Sequence, residues 1–279
     1  MADVTFAPEP DHITEIRRQV ARFVAQHMPR EKRVELDRRQ DWDREVFAEF
    51  ARLGLIGLTI PEEHGGAGQD LVAATAVIEE LAQAGPTLAG PYIHAAFYGG
   101  MNLSENGSAA QKAALLPRLA RGEIFLCYGL SEPNVGGDLA SVETRAERDG
   151  GEIVLNGAKR WCTGADWSAY VYCLVRSGPA EARYRNLTFV LVPTDAPGVS
   201  LQPLAHSNLR YADSHDVYFD NVRLPESAIV GGPEMWNEGW RILAGRALDV
   251  EKIEITAVAY GLARAAVEEA WRYAQEREQ

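Results

Sequence analysis

The chain has 279 residues, 46% of them hydrophobic and 24% charged, which is material for a sizeable core in roughly two domains or one large one. Lys and Arg number 28 against 40 Asp and Glu, a net charge of −12. This balance excludes a general nucleic-acid binder, which presents a basic face, but not an anionic small ligand held by backbone amides and a few arginines.

The acidic opening MADVTFAPEPD has neither a basic nor an apolar leader region, and no apolar run reaches the roughly 18 residues of a membrane span. No signal peptide and no membrane span are therefore expected, and the expected location is the cytoplasm. From about residue 10 to 120 the pattern is helical. In DHITEIRRQVARFVAQHM, Ile13, Ile16, Val20, Phe23 and Val24 share a face, with Asp11 as the expected N-cap. DWDREVFAEFARLGLIGL repeats the pattern with Val46, Phe47, Phe50 and Leu53, and Gly54 is expected to close that helix. DLVAATAVIEELAQAG and SAAQKAALLPRLARG predict two more helices, separated from the first pair by the glycine-rich IPEEHGGAGQD.

From about 122 to 230 the period changes to that of strands. GEIVLNGAKRWCTGA predicts two strands joined by an Asn156-Gly157 turn, and SAYVYCLVR, NLTFVLVP and HDVYFDNVRLP supply further strands. No helices alternate with them, so an antiparallel, barrel-like domain is expected. Cys127, Cys162 and Cys173 lack any metal or disulfide spacing and are expected as buried small hydrophobes; no metal site is expected among the scattered histidines either. LSEPNVGGD, Leu130 to Asp138, stands out by its hydroxyl, carboxylate, proline and paired glycines. Glycines there would permit close backbone approach to a ligand, and Glu132 and Asp138 are expected to orient the loop through hydrogen bonds. After about 236 the helical period returns, with Val250, Ile253, Ala257, Tyr260, Gly261, Val267 and Trp271 on one broad face interrupted by Arg264. The fold class is thus α+β: an N-terminal helical domain (1–121), a middle β-domain (122–232) and the start of a C-terminal helical bundle (233–279).

Four segments in order, GLTIPEEHGGAG, AAQKAALLPRLARGEIFLCYGLSEPNVGGD, LNGAKRWCTGA and DVYFDNVRLPESAIVG, resemble the acyl-CoA dehydrogenase family of flavoproteins, and the resemblance covers essentially the whole chain. It implies FAD as cofactor, with Tyr128, Leu130 and Ser131 along the flavin, Trp161 covering one face and Thr163 near N5. It implies α,β-dehydrogenation of an acyl-CoA thioester to a trans-2-enoyl-CoA in lipid metabolism. Electrons would pass to an electron-transfer flavoprotein, and the enzyme would be a homo- or hetero-oligomer.

Residue matching places Glu251 as the general base, flanked at the thioester by Asp249, Val250 and Lys252, the last standing where most relatives have Arg. Gly137 occupies the substrate-contacting position where the family usually has Ser. The resemblance also implies helices beyond Gln279, so a longer chain or a completing partner is expected, and the base is Glu251 or a residue beyond 279. Two rival readings remain. One is a flavin monooxygenase or nitroalkane oxidase of the same fold, which oxygen uptake would distinguish. The other is a catalytically silent or half-site subunit of a heteromeric dehydrogenase.

Overall fold

The computed structural model describes residues 8–207 and 212–278, with backbone alone at 246–248. The N-terminal layer is α1 (Asp11–His27), α2 (Arg30–Arg39), α3 (Arg44–Ala51) and α4 (Leu71–Ala82), followed by a continuous helical rod and α7 (Ala109–Ala120). The rod is α5 (Pro86–Ile93), a π-helical stretch His94–Met101 and α6 (Asn102–Asn106). The expected faces are the buried ones: Ile13, Val20 and Phe23 of α1 and Val46, Phe47 and Phe50 of α3 enter one helical core.

Caps fix where several helices begin. Asp43 accepts from the Val46 amide at 2.9 Å, Asp70 accepts from Ala73, and Ser108 and Gln111 form a reciprocal capping box. Asp11 differs from expectation: it is the first helical residue, and Pro10 precedes it as the cap with no side-chain bond. The Pro10 carbonyl already accepts from Ile13 and Thr14, leaving Asp11 as a first-turn acid that complements the helix dipole. Gly54, at φ 77, closes the turn after α3. The glycine-rich segment that follows contains a small antiparallel pair, β1 (Thr59–Ile60) and β2 (Gly68–Gln69).

The middle domain is a curled sheet of β3 (Leu126–Gly129), β4 (Arg145–Asp149), β5 (Glu152–Thr163), β6 (Tyr170–Arg176), β7 (Leu187–Pro193), β8 (Val199–Leu204) and β9 (Ser214–Pro225). Most pairs are antiparallel, as the absence of intervening helices implied, but the sheet is mixed because β3 runs parallel to β6. A second correction concerns Asn156-Gly157. The hairpin turns at Gly150-Gly151, both at positive φ, and β5 runs unbroken through Asn156, which pairs with Arg145. Pairing of β5 with β9 along most of its length holds that stretch extended, and the Asn-Gly signal becomes a β-bulge instead.

The chain returns to helix at α8 (Gly239–Ile242) and, past a non-helical Gly245, at α9 (Leu248–Glu276). α9 lies on α4. A Cβ at Gly261 would stand 2.4 Å from the Glu79 carbonyl oxygen, so only glycine allows this approach. The expected single apolar face of α9 divides in two. Val250, Glu254, Ala257 and Gly261 are buried, whereas Ile253, Tyr260, Val267 and Trp271 are exposed. The free cysteines are buried as expected, and burial raises their thiols, those of Cys127 and Cys173 to about 12.

Candidate functional site

The rod, β3, β5 and the first turn of α9 converge on a cleft of about 220 Å³. Tyr128 and Leu130 line one side, Trp161 and Thr163 the other, with Ser131 between them and Glu251 opening from α9. Six of the expected residues therefore meet in one place. The other four do not join them: Val250 is buried in the helical core, Asp249 and Lys252 form an exposed ion pair at 3.2 Å, and Gly137 lies on an exposed loop. A larger open hollow of about 480 Å³ between Pro133, Arg145 and Gly157 includes none of the expected site residues.

Trp161 owes its position to a second bulge, where the β5–β9 register shifts between Lys159 and Cys162. At φ 64 it is a non-glycine residue in the left-handed region, and its indole stands 55% exposed beside the cleft. Such bulges re-aim side chains near functional sites. The Arg160 guanidinium lies 5.5 Å over the indole, and the Arg160 amide donates to the Ser131 carbonyl at 2.8 Å, tying the two walls together. Thr163 shares a 2.8 Å hydroxyl bond with Ser214. On the opposite wall Tyr98 stacks on Tyr128 at 4.1 Å, and Asn102 donates to the Tyr128 hydroxyl at 2.6 Å.

Below the Leu130–Asp138 loop lies a buried ion pair. Lys159, 0% exposed at its side chain, donates to Glu132 at 2.8 Å and to the Leu130 carbonyl at 3.1 Å. Glu132 also accepts from the amides of Glu143 and Thr144. Burial alone would raise the Glu132 carboxyl, but the Lys159 ammonium and these amides outweigh it and hold the group below its ordinary range. The loop is thus oriented from beneath, beyond the local bonds expected of it. Asp138 does bond locally, accepting from Ser141 at 2.7 Å, and also from Arg183. Gly136 and Gly137 face open space, so no close approach explains them in this structure.

Burial raises the Glu251 carboxyl above the ordinary carboxylate range. It likewise drives the Tyr128 hydroxyl well above its usual value, so Tyr128 stays neutral. Tyr98 and Arg160 were missed from sequence, because Tyr98 sits in a π-helical turn without a motif and Arg160 had only its neighbour Trp161 to mark it. Lys159 was missed too; its sole signal is a lysine inside a strand whose neighbours are buried.

A helical layer, a curled mixed sheet and a returning long helix, closing on a carboxylate-bearing aromatic cleft, are the architecture of the flavoprotein dehydrogenases that the sequence resembles. The acyl-CoA dehydrogenase N-terminal, middle and C-terminal domain families match residues 10–123, 127–222 and 237–279. The chain is 31% identical over 277 residues to acyl-CoA dehydrogenase fadE12 of Mycobacterium tuberculosis, covering 99% of this chain and 70% of that one. It is 31% identical over 245 residues to the probable acyl-CoA dehydrogenase YngJ of Bacillus subtilis, covering 88% of this chain and 63% of the relative. Among solved structures, a glutaryl-coenzyme A dehydrogenase in complex with glutaryl-CoA superposes with a TM-score of 0.91 at 26% identity, over 99% of this chain and 69% of the other. The chain belongs to the acyl-CoA dehydrogenase family. Among the described residues no helix is long and apolar enough to cross a membrane.

Proposed function

We propose that this chain carries the catalytic centre of an FAD-dependent acyl-CoA dehydrogenase that converts an acyl-CoA thioester to its trans-2-enoyl-CoA. The observation that carries the reading is the convergence of Tyr128, Leu130, Ser131, Trp161 and Thr163 with the raised carboxyl of Glu251 around one cleft. The residues fit a flavin. Trp161 is an exposed indole held out from the sheet in a costly backbone conformation, suited to cover a planar ring. Ser131 and Thr163 bring hydroxyls to the cleft for a polar ring edge, the latter braced by Ser214. FAD, when bound, supplies the acceptor for the hydrogen that leaves the β-carbon as hydride.

The chain's own residues do the rest. The Glu251 carboxylate takes the α-proton onto its oxygen, and its raised proton affinity suits a weakly acidic C–H. Trp161, Tyr98 and Tyr128 keep water from the reacting bond, which strengthens electrostatic interactions there. Arg160 and Lys159 hold the two walls at fixed separation through Ser131 and Leu130. The acyl-CoA is the substrate, an electron-transfer flavoprotein the electron acceptor, and the working form an oligomer.

A second reading, a half-site subunit within a heteromeric dehydrogenase, is favoured by one observation. Tyr260, Val267 and Trp271 of α9 are 54%, 68% and 69% exposed, an apolar surface of the kind that drives association. The test of the main reading is Glu251→Gln, followed by anaerobic stopped-flow reduction of bound FAD with butyryl-, octanoyl- and palmitoyl-CoA. The expected loss is about 10²–10⁴-fold in rate with flavin binding intact. A wild-type rate would remove Glu251 as the base.

A further inference from the structure

α9 carries a second carboxyl that this chemistry does not use. Glu254 follows Glu251 by three residues, a spacing that places both on one side of the helix. Glu251 opens into the cleft; Glu254 is 2% exposed, between Val250 and Ala257 of the helical core, and its Oε2 has no hydrogen-bond partner. An ionised carboxyl in such a place costs several kcal/mol unless a cation answers it, so the group keeps its proton instead.

Among the described side chains, the elements packed against it offer no free cation. On α9 the neighbour is Glu251, and on β3 it is the Tyr128 hydroxyl, already bonded by Asn102. The Asn102 Oδ1 is itself buried without a partner. From the rod come Tyr98 and His94; burial lowers the imidazole to about 4, so it is neutral, and its Nδ1 bonds the Leu126 carbonyl at 2.9 Å. From α4 come Glu79 and Glu80. The cations there, Arg17 and Arg264, are engaged by these acids, at 3.1 and 3.0 Å to Glu80.

We propose that Glu254 is a positioning residue for Glu251, a buried neutral acid that leaves the cleft a single carboxylate charge and closes the site at high pH by ionising. The inference rests on the reading of Glu251 as base. Burial first, and the charge of Glu251 second, push the Glu254 carboxyl well above its ordinary range. Two acids this close titrate as a pair, and the order is set by environment: the more open Glu251 ionises first and Glu254 retains the proton. The pair in that state has one proton acceptor facing the cleft and one acid beneath it. Loss of the second proton puts a charge into the buried face of α9, between Val250 and Ala257, where Glu251 repels it, and the packing that holds the first turns of α9, and with them Glu251, loosens. Activity thus has an acid limb from Glu251 and an alkaline limb from Glu254.

Infrared spectroscopy reads this without turnover, on the chain with or without FAD. At pH 7 exposed carboxyls are ionised, so a protonated-carboxyl C=O band is expected in the wild type and in Glu251→Gln but not in Glu254→Gln. Flavin reduction by butyryl-, octanoyl- and palmitoyl-CoA is then followed against pH. Glu254→Gln is expected to lose the alkaline fall while keeping its neutral-pH rate well above the about 10²–10⁴-fold loss of base removal. A Glu251→Gln protein with no such band at pH 7 would overturn the proposal, and so would an alkaline limb unchanged in Glu254→Gln. Full-rate reduction by Glu251→Gln would overturn the base reading and the positioning role with it, leaving the band assignment to show which had failed.

Discussion

Two buried glutamates stand on opposite sides of the cleft and solve burial differently. Glu132, beneath the Leu130–Asp138 loop, is met by the Lys159 ammonium and two backbone amides, and is held ionised below the ordinary range. Glu254, on the buried face of α9, has a tyrosine hydroxyl and another acid as neighbours, and is pushed the opposite way. Similar depth gives opposite charge because partners, not burial, decide the outcome. The β-side of the cleft is a fixed electrostatic frame, and the α9 side is a titratable one.

The largest test of this contrast removes the frame's cation. Lys159→Met strands a buried carboxylate and should cost about 3–5 kcal/mol of folding stability. Pairing it with Glu132→Gln, which keeps an acceptor for the two amides, should recover most of the loss. Urea denaturation measures both, and a single variant as stable as the wild type would show that Glu132 is not dependent on Lys159.

The next effect is in pH. For Glu254, whose folded-state proton affinity is raised, its contribution is fully present below the ordinary value of about 4.3 and is lost as pH climbs towards the raised one. For Glu132, whose affinity is lowered, the contribution is present above about 4.3 and is lost as pH falls towards the lower value. Relative to the wild type, Glu254→Gln should gain stability with rising pH at up to about 1.4 kcal/mol per unit over its window. Glu132→Gln, which leaves Lys159 unpaired, should be less stable than the wild type near neutral pH, and the deficit should shrink only on the acid side. Parallel stability–pH curves for wild type and Glu254→Gln would erase the contrast.

The smallest expected change in stability accompanies a large change in binding. Trp161 is half out of the protein at a positive φ, where glycine carries no steric penalty. Trp161→Gly should leave stability within about 0.5 kcal/mol, as surface changes do, while FAD titration shows clearly weaker binding. A large stability loss would instead make Trp161 a structural residue of β5.

Much of this was legible in the sequence where local chemistry and tertiary demand agree. The helical faces, the strand runs of β6, β7 and β9, and the two segments that flank the cleft were all readable from pattern or resemblance. The failures came where a distant partner decided. Asn156-Gly157 has the better turn signal, yet β9 holds it straight and the turn moves to Gly150-Gly151. β3 joins β6 in parallel although the chain between them holds β4 and β5 rather than a crossover helix. The face of α9 was read as one stripe, but α4 covers only the part centred on Ala257 and Gly261. Glu254 was missed for the same reason, since a glutamate inside a charged stretch gives no sign of burial until its neighbours are known.

The close seat of Gly261 on α4 turns α9 into a lever. At about 1.5 Å per residue, Glu251 stands roughly 15 Å along the arm from that fulcrum. A Cβ at Gly261 would stand 2.4 Å from the Glu79 carbonyl oxygen and force α9 away from α4; a tilt of only about 4° there would sweep the carboxyl through about 1 Å, a displacement able to cost about 10²-fold in rate. The aim of the carboxyl is therefore written in part on the surface of α4, in residues that never approach the cleft.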